Sequence, residues 1–223
     1  MIEKWLNTIR QGDCLELMKQ LPDKCIDLVL TDPPYGIGQD KDQERKSGYK
    51  GKRQLGVRKG YGFSNWDNEV PNKEYFEQMM RISKNQIFFG GNYFAHLIPP
   101  SSCWIVWDKD NGANDFADCE LAWTSFDTAI RKFKWKWHGM LQEQMGKHKE
   151  FRQHPTQKPV KLFEWILSKY SKETDIILDP YAGSGTTGRA AKNLGRPFIL
   201  FEKEPSYCEI ANKRLEQEVL LWP

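Results

Sequence analysis

The tetrapeptide Asp32-Pro33-Pro34-Tyr35 carries the residue types that point most directly to chemistry. Two consecutive prolines fix φ and remove two N–H donors. The Pro33 carbonyl is therefore expected in a stiff turn, open to a donor from a ligand. Asp32 adds a second acceptor beside it, and Tyr35 a flat face. Two acceptors and an aromatic face suit a planar group with an exocyclic –NH2. Such an amine is a poor nucleophile, because its lone pair is conjugated with the ring. Accepting both its hydrogens drives the nitrogen towards sp3 and aims the lone pair at an electrophile. The plainer reading of the same residues is a Pro-Pro turn in which Asp32 caps the next segment.

A second constellation is DIILDPYAGSGTTGRAA, residues 175–191. A strand is expected to end at Asp179, followed by a turn at Gly183-Ser184-Gly185 and a helix opening with Thr186 and Thr187. Glycines let the backbone approach a ligand closely, and a helix N-terminus presents free N–H groups. About twenty residues on, the next strand is expected to end in Glu202, well placed to accept from ribose hydroxyls. The Gly-Lys-Ser/Thr ending of a phosphate loop is missing, and so is the full Gly-x-Gly-x-x-Gly of dinucleotide binders. A cofactor with a ribose but no pyrophosphate fits both absences.

Elements that hold these residues follow from hydrophobic patterning. CIDLVL (25–30), QIFFGG (86–91), CWIVWDK (103–109), DIILDP (175–180) and RPFILFEKEP (196–205) read as strands. Their near-continuous apolar runs suggest a sheet covered on both faces. Residues 72–83, 159–170, 186–195 and 205–220 read as helices. Strands alternating with helices predict an α/β fold with a doubly wound, mostly parallel sheet.

With 39% apolar and 28% charged residues among 223, the composition suits a folded chain with a real core and excludes disorder over its whole length. No apolar stretch approaches the roughly 18 residues of a membrane span. The opening MIEKWLNTIRQGD lacks the layout of a secretory signal. The five cysteines are widely spaced, with no Cys-x-x-Cys, which suggests reduced thiols in a cytoplasm and no metal ligation. The net charge of +3 is unevenly spread: residues 41–60 carry +6 and 131–152 carry +5, leaving the rest at −8. Two basic patches on an acidic body fit a polyanion, though solvated loops give the same pattern.

TDPPYGIG (31–38), HPTQKP (154–159) and LDPYAGSGTTGRAA (178–191) together resemble the motifs of amino-methylating, S-adenosylmethionine-dependent DNA methyltransferases of bacteria and phages. Their order resembles the β group, in which the two halves of the Rossmann-like fold are permuted in sequence. The resemblance covers nearly the whole chain and implies a single methyltransferase domain over 1–223. It implies that Asp32, Pro33, Pro34 and Tyr35 bind the target base. Asp179, Gly183, Ser184, Gly185, Thr186 and Thr187 would surround the cofactor, and Glu202 would hold its ribose. Asp13 and Cys14 would lie near its adenine, and Thr156 and Lys158 in the segment that contacts its methionine carboxylate. The reaction implied is methyl transfer from S-adenosylmethionine to adenine N6, after the base is flipped out of the duplex. Cytosine N4 is the alternative target, because both amines share the same local chemistry. RNA or protein amino-methylation is disfavoured, since Asn usually replaces the Asp in those families. A DNA-binding module without activity is the alternative of another class.

The Gly- and Lys-rich stretch 36–66 is expected to be a mobile loop whose Lys50, Lys52, Arg53, Arg58 and Lys59 reach DNA phosphates. In 131–153, Lys132, Lys134 and Lys136 alternate with Phe133, Trp135 and Trp137, as in a strand with one cationic and one aromatic face. This segment reads as a small target-recognition element, or as an edge strand packing its aromatics on the core. It is short for the family, so a homodimer or a short site is the easier reading, and a restriction endonuclease is a conceivable counterpart. Phosphate contacts give affinity without sequence information. DNA affinity is therefore expected to fall steeply with salt, with a log–log slope of about −0.9 per phosphate contacted. A flat response in a fluorescence titration contradicts a DNA role for these patches.

Overall fold

The computed structural model describes residues 2–36, 70–112, 117–138, 141–146, 149–151 and 157–217. The loop cations Lys50, Lys52, Arg53, Arg58 and Lys59, and also Thr156, lie outside the described residues.

The chain runs β1 (Thr8–Gln11), α1 (Cys14–Lys19), β2 (Ile26–Thr31), α2 (Lys73–Ile82), β3 (Ser83–Phe89), β4 (Trp104–Asp108), β5 (Cys119–Thr124) and β6 (Arg131–Lys134). It continues with β7 (Trp137–His138), β8 (Leu141–Gln142), α3 (Val160–Tyr170), β9 (Ile177–Asp179), α4 (Thr186–Asn193), β10 (Phe198–Glu202) and α5 (Pro205–Glu216). Eight strands form one sheet in the order β1-β10-β9-β2-β3-β5-β4-β6, and β7 and β8 pair as a separate hairpin. Within the large sheet only the β3–β5 and β4–β5 pairings are antiparallel. The expected α/β fold with a mostly parallel sheet is what forms.

Successive residues of the central strands serve opposite faces. Phe198 and Leu200 join the cluster built on Leu162, Phe163, Ile166 and Ala190 of α3 and α4. Ile199 and Phe201 join the cluster built on Met18, Phe76 and Met79 of α1 and α2. Both faces are thus buried, the physical reason for continuous apolar runs where alternation would mark a half-exposed sheet.

Sheet order places the site. From β9 the chain passes through α4 to β10 on one side; from β2 it passes through α2 to β3 on the other. The adjacent pair β9–β2 is therefore a topological switch point, where the connections part and leave a crevice beyond the strand C-termini. Asp179 ends β9, and Asp32 follows β2 directly.

Three expectations change in detail. β3 starts at Ser83, immediately after α2, and ends before the Gly90–Gly91 turn, whereas the sequence suggested 86–91. The stretch after β4 contains an unanticipated strand, β5, whose antiparallel direction brings its first residues to the edge of the sheet where the parallel strands end. The regular alternation from 131 onwards is a strand for only four residues. β6 is an edge strand whose Phe133 packs on Trp165 of α3, with ring centroids 5.1 Å apart. No helix among the described residues is long and apolar enough to cross a membrane.

Candidate active site

A cavity of about 750 Å³ opens at the switch point, lined by both constellations singled out above. Asp13, Cys14, Asp32, Pro34, Lys158, Asp179, Gly183, Ser184, Thr186, Thr187 and Glu202 all face it. Pro33, Tyr35 and Gly185 are not among its lining residues.

Asp179 anchors the floor. Its carboxylate accepts from Thr31 Oγ1 at 2.7 Å, Thr187 Oγ1 at 2.5 Å and the Tyr181 amide at 3.0 Å. Burial pushes its pKa to about 6, against these three donors. Gly183 and Gly185 take φ of 50° and 77°, the left-handed region that glycine enters freely. A Cβ on Gly185 would stand 2.9 Å from that of Ala211, so the loop packs directly on α5. Glu202, at the end of β10, accepts from the amides of Gly183 at 2.7 Å and Glu204 at 2.8 Å. These bonds aim the carboxylate across the turn; burial pushes it up, opposed by the two amides. Register explains Asp13: β1 pairs with β10 so that Gln11 faces Glu202, and the chain then turns into α1, which Asp13 caps through the Leu15 amide. Burial pushes the Cys14 thiol up to about 12, so it lines the cavity as a neutral thiol.

Asp32 sits in a denser network. Tyr35 donates to it at 2.5 Å, and Lys158 Nζ forms an ion pair with its other oxygen. The same ammonium lies 3.1 Å from Glu120, which is also 2.6 Å from Lys109. Burial pushes the Asp32 carboxyl up, opposed by Lys158 and reinforced by Glu120. Burial acts on Glu120 likewise, but Lys158 and Lys109 together hold it below the usual carboxylate range. The Tyr35 ring stacks on Tyr93 with centroids 4.9 Å apart. Gly90 packs so closely that a Cβ there would come within 2.1 Å of the Tyr35 ring.

Sequence reasoning missed several participants. Glu120 and Lys109 carry no role in the sequence reading, which places no strand at Cys119–Thr124. Tyr75 falls in the helix expected over 72–83, yet it lines the cavity and its hydroxyl reaches Asp13 at 3.4 Å. The expected methionine-carboxylate contact, Lys158, is 5% exposed and spends its ammonium on Asp32, Tyr35 and Glu120. Lys132 and Lys134 are exposed and Lys136 is half-buried, but none is a bare cation. Lys132 lies 3.4 Å from Asp108, while Lys134 and Lys136 lie 2.8 and 3.3 Å from Asp110.

Another unanticipated pair, Glu150 and Arg214, clasps the site from behind. Arg214, 6% exposed, reaches Glu150 at 2.5 Å and donates to the Ser184 carbonyl and to Thr186 Oγ1. Glu150 also accepts from Gln157 at 2.8 Å and from the Val160 amide at 3.0 Å, at the N-terminus of α3. The glycine turn, α5, α3 and the 131–153 segment thus meet at one ion pair. Arg214→Met leaves the Glu150 carboxylate stranded and is expected to cost about 3–5 kcal/mol in a urea titration. Adding Glu150→Leu should recover much of the loss. A single variant within about 1 kcal/mol of the parent contradicts the clasp.

Comparison with known proteins fits this geometry. The N6_N4_Mtase family model, described as DNA methylase, matches residues 125–213. Type II methyltransferase M.HinfI of Haemophilus influenzae is 28% identical over 264 residues, covering 97% of this chain and 70% of that protein. Type II methyltransferase M2.DpnII of Streptococcus pneumoniae is 41% identical over 128 residues, but this covers 56% of this chain and 45% of that one. Among solved structures, the M1.HpyAVI–SAM complex aligns with a TM-score of 0.57 and 26% identity, over 94% of this chain and 99% of that one.

Proposed function

We propose that this chain works as what it resembles, an amino-methylating DNA methyltransferase, transferring the methyl of S-adenosylmethionine to adenine N6 in a specific DNA sequence. The observation that carries the reading is that the Asp32 tetrapeptide and the Asp179–Glu202 region open into one cavity at the switch point.

The cavity suits the cofactor. Asp13, Asp32, Asp179 and Glu202 surround it with acidic groups, which complement a sulfonium cation. Glu202 is placed for ribose hydroxyls, Gly183 and Ser184 for close backbone approach, and Asp13 with Cys14 for the adenine side. The cofactor supplies a methyl group on sulfur that is open to displacement. The chain's own work is alignment. Asp32 and the Pro33 carbonyl accept the two amine hydrogens of the flipped base, Tyr35 supports its ring, and the nitrogen lone pair is directed into the cavity. The amine proton is surplus once nitrogen is alkylated, and the neighbouring Asp32 carboxylate takes it.

The 131–153 segment presents Lys132, Lys134 and Lys136 for DNA phosphates, with Asp108 and Asp110 as the partners they exchange. A second copy of the chain is a natural way to extend so short a recognition surface. A cognate restriction endonuclease is in keeping with the Type II names of the similar methyltransferases. Five unpaired cysteines suit the reducing cytoplasm where such an enzyme meets DNA.

The test is mass spectrometry of nucleosides from unmethylated DNA incubated with the protein and S-adenosylmethionine. N6-methyladenine is expected from the parent and none from Asp32→Ala, which should still bind the cofactor. N4-methylcytosine overturns the choice of base. Cofactor binding with no modified base in any DNA overturns the enzyme.

A further inference from the structure

We propose that Lys158 is a positioning residue for the transfer reaction, not a cofactor contact: locked between Asp32 and Glu120, it holds the base-binding carboxylate in place as an acceptor. The inference rests on the methyltransferase reading above and deepens it.

The ammonium has three N–H donors. Asp32 and the Tyr35 hydroxyl, at 3.2 Å, accept from it, and a Glu120 oxygen 3.1 Å away completes the cluster as an ion-pair partner without a hydrogen bond. A cofactor carboxylate would have to displace one of them and bring a third anion into the cluster. Lys158 is also enclosed laterally, with the rings of Phe89 and Tyr35 at 4.8 and 5.6 Å from Nζ. The buried lysine is held from one strand terminus and two strands of the sheet. Asp32 follows β2, Glu120 is the second residue of β5 and Lys109 follows β4, so charges alternate along Lys109–Glu120–Lys158–Asp32.

The arrangement has a functional consequence. A protonated Asp32 would have lost its charge, would accept its share of the amine hydrogens more weakly, and could not take up the proton released on alkylation. Asp32 faces Lys158, Glu120 and Tyr35, with Asp179 nearby on β9. Lys158 is the one cation in that set, and with the hydrogen bond from Tyr35 it opposes burial and the two anions. Glu120 works the other way: it repels charge on Asp32, but it also fixes Lys158 and, through Lys109, is itself neutralised. The pair therefore sets the pH at which Asp32 becomes an acceptor.

Opposite shifts are expected from the two partners in pH profiles of kcat. Lys158→Gln removes the counter-charge, and the acidic limb should move up by at least about one pH unit. Turnover at neutral pH should fall, while the dissociation constant for S-adenosylmethionine, measured by calorimetry without DNA, stays within about threefold. Lys158→Arg should keep the limb near its original position. Glu120→Gln removes a like charge and should move the limb down; this variant preserves the Lys158–Asp32 pair and reads the sign even if Lys158→Gln does not fold. A large loss of cofactor affinity in Lys158→Gln with kcat unchanged overturns the inference, and so does a limb that fails to move in Glu120→Gln. A parent enzyme that methylates no DNA is a different result: it overturns the methyltransferase reading itself.

Discussion

The parallel pairing of β2 with β9 is the constraint on which the site depends. These strands are remote in sequence, yet they lie side by side and part in opposite directions at the switch point. Thr31, the last residue of β2, donates to Asp179, the last residue of β9, across 148 residues of chain. That bond and the register around it put the Asp32 turn beside the Gly183–Gly185 turn. Methyl transfer needs its donor and acceptor in line, and two rigid strand ends fix relative position better than two loops would.

Around that frame the electrostatics divide into two buried networks. Lys109, Glu120, Lys158 and Asp32 form one beside the Asp32 turn; Glu150 and Arg214 form the other, against the turn at Ser184. Buried ion pairs of this kind are weak evidence for stability, because desolvation offsets much of the Coulomb attraction. Their value here is positional. Each holds an otherwise adaptable side chain in one geometry and ties elements that meet only in the folded state. Through Arg214, Glu150 links the 131–153 segment to the turn at Ser184.

Much of the fold was legible because burial on both faces of the sheet leaves a plain mark, as in IDLVLT of β2 and FILFE of β10. The turns were legible for a similar reason: prolines and glycines constrain the backbone locally, whatever the tertiary context. β5 was not, because CELAWT is a short half-buried strand whose direction is set by its neighbours. Glu120 and Arg214 were hidden because an isolated charge carries no local sign of its partner. Glu150 and Arg214 are 64 residues apart, and only the fold reveals that they meet. Lys158 was visible within its motif, but its burial against Asp32 was not. The lysines of β6 showed both faces of their strand correctly, while the aspartates opposing them came from the end of β4 and beyond.

The most direct test of the central claim, that one cavity serves both cofactor and target amine, is a crystal structure with S-adenosylhomocysteine bound. The account predicts the ribose hydroxyls on Glu202, the adenine beside Asp13 and Cys14, and the sulfur facing Asp32, with Lys158 still paired to that carboxylate. A ligand seated elsewhere, or one whose sulfur points away from Asp32, contradicts it.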